Sequence, residues 1–111
     1  MMSQELKNKI IKIYQKWDSF KNWQISIKVA ISTNKDNFDR HFTSFSKLEF
    51  VMKDFGVRFS GNRARFEGEK QSYEIGGDHI IRIEEKEEDE FEIIEKYSEK
   101  VFRRTMIKFL D

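Results

Sequence analysis

Arg58, Arg63 and Arg65 stand in the stretch Val57-Arg-Phe-Ser-Gly-Asn-Arg-Ala-Arg-Phe66, and each offers a planar donor fork suited to phosphate oxygens. In a hairpin the period of two turns Val57, Phe59, Ala64 and Phe66 toward a core and the arginines outward, where Arg82 of a later strand joins them. A basic sheet face of this kind is a platform for the phosphates of RNA or single-stranded DNA. Its aromatics face inward, so base stacking is not expected. Glu67, Glu69 and Glu74 lie close enough in sequence to offset part of its charge.

The other chemistry-bearing residues point to no reaction. His41 follows Asp39-Arg40 and His79 follows Asp78, but sequence neighbours point in different directions, and no third group stands at triad spacing. Nothing local joins His41 and His79 into a metal pair, so no metal, cofactor or catalytic residue is expected. Gly56 and Gly61 have the separation of a phosphate-binding loop, yet Asn62 and Arg63 occupy the positions that need Lys and Ser or Thr. The acidic run Glu84-Glu-Lys-Glu-Glu-Asp-Glu-Phe-Glu92 lacks the oxygen-ligand pattern of a calcium loop. It reads instead as the start of a helix whose later turns carry Lys96, Lys100, Arg103, Arg104 and Lys108, an order that the helix dipole favours.

The elements that would hold these residues follow from hydrophobic spacing. Leu6, Ile10, Ile13, Tyr14 and Trp17 mark one face of a helix over 4–18, with Ser3 as its N-cap and Lys9, Lys12 and Lys16 along one flank. Trp23, Ile25, Ile27, Val29 and Ile31 alternate with polar or small residues, which predicts a half-buried strand. A helical region follows with Phe38, Phe42 and Phe45, then a break near Ser44–Ser46. A further helix is predicted over 47–55, capped by the Ser46 and Glu49 pair and ended by Gly56. Residues 57–85 read as a meander with strands at 57–59, 63–67, 71–75 and 79–85, separated by turns at 60–62, 68–70 and 76–78. Phe91, Ile94, Tyr97, Val101, Phe102, Thr105 and Phe109 share an arc that predicts a long C-terminal helix over 88–110. Ile93, Ile107 and Leu110 fall off that arc, and this second apolar face suggests an interface, with a homodimer as its simplest source.

The expected fold is therefore α+β in the order α-β-α-β-β-β-β-α, a largely antiparallel sheet with helices on one face. Residues 1–111 suit a single compact domain, and eleven Phe supply burial that an otherwise charged composition lacks. Fourteen Lys and Arg stand against eight Asp and Glu over 1–70, and seven against twelve over 71–111, so the chain is polarised although its net charge is only +1. There is no Cys, which excludes disulfides and thiol chemistry, and no apolar run reaches the length of a membrane span. A cytoplasmic, intracellular protein without a membrane partner is the expectation.

Two functions fit. One is a small non-enzymatic protein that contacts nucleic acid through Arg58, Arg63, Arg65 and Arg82. The other is a protein-interaction module, such as a viral or mobile-element inhibitor or adaptor, recognising its partner by surface shape and charge.

Overall fold

A computed structural model describes residues 2–36, 38, 44–58 and 62–111. The chain runs through α1 (Gln4–Asp18), β1 (Gln24–Ser32), β2 (Ser44–Val51), β3 (Asp54–Arg58), β4 (Arg63–Glu67) and β5 (Ser72–Gly76). A 3-10 turn at Gly77–His79 leads to β6 (Ile80–Glu87), β7 (Glu90–Ser98) and β8 (Val101–Leu110). The strands form two antiparallel sheets, one of five strands in the order β2-β1-β8-β7-β6 and one of three in the order β3-β4-β5. The architecture is α+β, with one helix among the described residues rather than three.

Local sequence explains the first two elements. The Ser3 hydroxyl accepts the Leu6 amide at 3.1 Å, satisfying one orphan donor of the first turn, and Ile10, Ile13, Tyr14 and Trp17 bury the predicted face. In β1, Ile25, Ile27 and Val29 turn to the core. Trp17 lies where the layers meet, its ring 6.1 Å from Phe55 and 5.0 Å from Phe66 of the small sheet, and 5.6 Å from Phe91 of the large one. The helix and the small sheet thus close the core against one face of the large sheet. On the opposite face the segment after β1 meets distant strands: Asp36 bonds Arg82 of β6 at 3.3 Å, and the Phe38 ring lies 4.8 Å from the Arg104 guanidinium of β8.

The helix predicted over 47–55 is replaced by β2 and β3. Leu48, Val51, Met52 and Phe55 fit a helical arc, but Phe45, Lys47, Glu49 and Val51 also alternate with Ser46, Leu48 and Phe50, and an unbroken ladder with β1 selects the strand. Ser46 and Glu49 therefore cap nothing. Of the helical region before it, Phe42 lies outside the described residues.

The helix predicted over 88–110 is likewise a hairpin, β7 and β8, joined at Glu99-Lys100. Ile93 and Ile107, which had no place on the helical arc, are inward positions of adjacent strands and fully buried, so they are core residues and not an exposed second face. Leu110, at the end of β8, is partly exposed. The acidic run opens no helix. It spans the end of β6, a turn and the start of β7, where Glu84 faces Glu92 and Glu87 faces Glu90 across the ladder. Lysines relieve that repulsion: Lys86 reaches Glu84 at 3.1 Å and Glu92 at 3.7 Å, and Lys108 reaches Glu90 at 3.1 Å.

The predicted meander is divided between the two sheets. Strands β4 and β5 fall within a residue of expectation, but β6 leaves the small sheet through the 3-10 turn and pairs with β7. Among the described residues no helix is long and apolar enough to cross a membrane.

Candidate ligand cleft

A cleft of about 1030 Å³ opens between α1 and the edge strand β3, with the segment at Gly77 and Asp78 at its far end. The helix contributes Ile10, Ile11 and Tyr14, and β3 contributes Phe55 and Val57. Ile11 lies on the helix flank beside the core-facing Ile10, and Val57 projects from β3, an edge strand of the small sheet. They remain 54% and 47% exposed, unusual for aliphatic residues facing one another across a cavity.

Polar groups converge at one end. The Tyr14 hydroxyl donates to the Asn62 carbonyl at 3.0 Å, and the Asn62 side-chain amide donates to Asp78 Oδ1 at 3.0 Å. Asn62 holds a left-handed φ of 49°, which Asn tolerates better than most residues and which turns its carbonyl toward the helix. Gly77 is required by proximity, since a Cβ there would lie 2.3 Å from the Asn62 carbonyl oxygen and 3.0 Å from the Tyr14 hydroxyl. Burial pushes the Tyr14 hydroxyl well above its ordinary 10.0, and the negative charges of Glu95 and Asp78 push it further. Tyr14 thus stays protonated at neutral pH and serves as a hydrogen-bonding group, not a base. With Lys7 and Asp18 on the helix wall and Asp78 at the far end, the cleft carries one net negative charge.

Behind Gly77 the two sheets are joined by a buried polar cluster. Glu95 of β7 is 0% exposed and accepts a fork from Arg103 of β8, Nε to Oε1 at 2.9 Å and an Nη to Oε2 at 3.0 Å. The Tyr97 hydroxyl and the Gly76 amide, the latter at 3.0 Å, donate to the same carboxylate, while Arg103 also donates to the Glu74 carbonyl of β5 at 2.9 Å. Tyr73 shares a 2.6 Å hydrogen bond with Thr105 alongside. Burial holds the Tyr97 hydroxyl above its ordinary value, assisted by its bond to Glu95 and by that charge. The Gly76, Glu74 and Tyr73 contacts link β5 to β7 and β8, so the cluster fixes the segment that forms the polar end of the cleft.

The sequence-predicted site residues are only partly brought together. Arg58 and Arg63 are directly opposite in the β3–β4 ladder, and Arg65 is on the same outward face of the small sheet. That face also carries Asp54, Glu67 and Glu74, so acids equal arginines, and Arg63 and Arg65 lie 3.8 and 4.0 Å from Glu74 and Glu67. Arg82 does not join them: it belongs to the other sheet and pairs with Asp36. Val57, expected in the core, opens into the cleft instead, and Phe59 lies outside the described residues. His79 stacks on Tyr97 at 4.5 Å and turns Nδ1 to the Lys96 carbonyl, whereas Asp78 turns to Asn62. His41 lies outside the described residues, among which no three His, Asp or Glu side chains converge as a metal site would require.

Ile11, Asn62 and Gly77 are the site residues that sequence reasoning missed. The only signal was local: an isoleucine off the helical arc, an Asn in a turn and a Gly pair. No protein-family profile, curated protein or solved structure matches this chain.

Proposed function

We propose that this chain is a binding module without a reaction of its own, and that the cleft between α1 and β3 holds an aliphatic, basic segment of a partner protein. The observation that carries this reading is the pair Ile11 and Val57, aliphatic side chains from two different elements left exposed on facing walls. Their burial by a partner supplies the apolar contribution to binding, while Asp18 and Asp78 supply acceptors for Lys or Arg side chains. In a peptide-array screen, the retained sequences are expected to pair aliphatic residues with Lys or Arg. Substituting Ile11→Asp and Val57→Asp together is expected to abolish their binding, while the circular dichroism spectrum stays unchanged because both side chains are already wet. Retained peptides that bind the double variant as tightly as the wild type would remove the cleft from consideration.

A second reading is contact with nucleic-acid phosphates. It is favoured by Arg58, which has no ion-pair partner among the described residues and lies opposite Arg63. It ranks below the first because Asp54, Glu67 and Glu74 share the face. Affinity for single-stranded DNA should fall steeply with salt and vanish in an Arg58→Glu, Arg63→Glu, Arg65→Glu variant if this reading holds. Equal binding by variant and wild type across the salt series excludes it.

A further inference from the structure

The outer edge of β2 is unpaired among the described residues, and its sequence is self-complementary. Strand β2 ends the five-stranded sheet. The Met52 amide donates to the Trp23 carbonyl at 2.9 Å, and bonded positions alternate along an antiparallel ladder whose register is unbroken from Gln24↔Val51 to Ile31↔Ser44. Ser44, Ser46, Leu48 and Phe50 therefore direct their main-chain groups to β1. Phe45, Lys47, Glu49 and Val51 direct theirs outward.

These four residues also share the side-chain face of the sheet that points away from the helix. They read apolar, cationic, anionic, apolar, and Phe45 and Val51 are 55% and 41% exposed. We propose that β2 is the seam of a homodimer, in which two copies pair antiparallel about a twofold axis at Leu48 and join their sheets into one.

Of the registers centred on Lys47, Leu48 and Glu49, only the middle one sets unlike charges directly opposite. Centring the axis on Leu48 sets Lys47 against the second copy's Glu49 twice, in positions where both residues have N–H and C=O groups unpaired among the described residues. Moving the axis by one residue sets Lys47 against its own copy, or Glu49 against its own copy, and like charges directly opposite are destabilising. The second Glu49 also answers an imbalance inside one chain. Lys28 of β1 faces Lys47 directly, and among the described residues Lys47 has only Glu49 of its own strand, at 2.8 Å, to offset that repulsion. The β4–β5 turn limits the seam, because a Cβ at Gly68 would lie 2.6 Å from the Phe50 ring and 3.2 Å from the Val51 carbonyl. The open edge is thus Phe45 to Glu49, which contains the whole charged centre. Lys on an edge strand commonly blocks such pairing, and here it does so in the register centred on Lys47 itself.

Sedimentation equilibrium of wild type, Lys47→Glu and Glu49→Lys tests this directly. The wild type is expected to be dimeric, and each single variant to dimerise about tenfold more weakly or worse, since both symmetry-related pairs become like-charged. An equimolar mixture of the two variants is expected to recover the dimer, because one then presents two acids and the other two lysines. Both side chains are exposed, so folding is not at risk. A monomeric wild type, single variants that dimerise as well as the wild type, or a mixture that stays monomeric would each overturn the proposal.

Discussion

Arg103→Leu is expected to destabilise the fold by about 3–5 kcal/mol, among the largest effects of any single substitution here. The Glu95 carboxylate is 0% exposed, and two of its bonds come from the Arg103 fork. Removing the guanidinium leaves a buried charge with only the Gly76 amide and the Tyr97 hydroxyl, which cannot neutralise it. The reverse change should cost less. In Glu95→Leu the Arg103 side chain, already 22% exposed, can turn toward water, although two donors are orphaned. The pair Glu95→Leu with Arg103→Leu should therefore be more stable than the sum of the single losses, with a coupling well above ~0.5 kcal/mol. Urea unfolding of all four proteins measures this cycle. Strict additivity would mean that Glu95 is satisfied without Arg103, and the cluster would no longer explain how the two sheets are joined.

That cluster also explains where sequence reading failed. In β7 the inward positions run Phe91, Ile93, Glu95, Tyr97, and in β8 they include Arg103, Thr105, Ile107 and Phe109. A fully buried Glu, an Arg and a Thr interrupt the apolar alternation that marks a strand, so the helical arc through Phe91, Ile94 and Tyr97 looked more regular. The residues that stabilise the seam are the ones that disguised the strands. Where inward positions are all apolar, as in β1, or where a cap and a clean arc agree, as in α1, the element was legible to within a residue or two. The hairpin β4–β5 was legible for the same reason, with Ala64, Phe66, Tyr73 and Ile75 buried in alternation.

Strand β2 failed differently. Its alternation and its helical spacing are both real, and the choice depends on the unpaired edge of β1, which lies outside the segment itself. The cleft was illegible because it depends on tertiary juxtaposition: Tyr14 reaches Asn62 across 48 residues, and Asn62 reaches Asp78 across 16. The basic residues show the limit of composition from the other side. Arg58, Arg63 and Arg65 share one face of the small sheet, but acids of β3, β4 and β5 are on that face too. The departure of β6 to the other sheet removed Arg82 from it.

Trp17→Ala should cost about 3–5 kcal/mol as well, by a different mechanism. Among the described residues no other side chain meets rings of the helix, the small sheet and the large sheet: Tyr14 is at 5.4 Å, Phe66 at 5.0 Å and Phe91 at 5.6 Å. Phe66 and Phe91 are held in different sheets by their own ladders and Tyr14 by the helix, so they cannot collapse together to fill the space, and the cost of a cavity rises with the volume left open. Trp17→Phe isolates that term. The indole Nε1 has no hydrogen-bond partner among the described residues, so the smaller ring loses contacts but also removes an unsatisfied donor. Its net cost should be about 1 kcal/mol, well below that of the alanine. Far-ultraviolet circular dichroism through a urea titration reads both variants without relying on the deleted chromophore. An alanine variant too unstable to fold would agree with the mechanism, provided that the phenylalanine variant folds with nearly wild-type stability. If instead the phenylalanine change costs as much as the alanine one, the centre is held by the shape of the indole itself and not by the volume that joins the three layers.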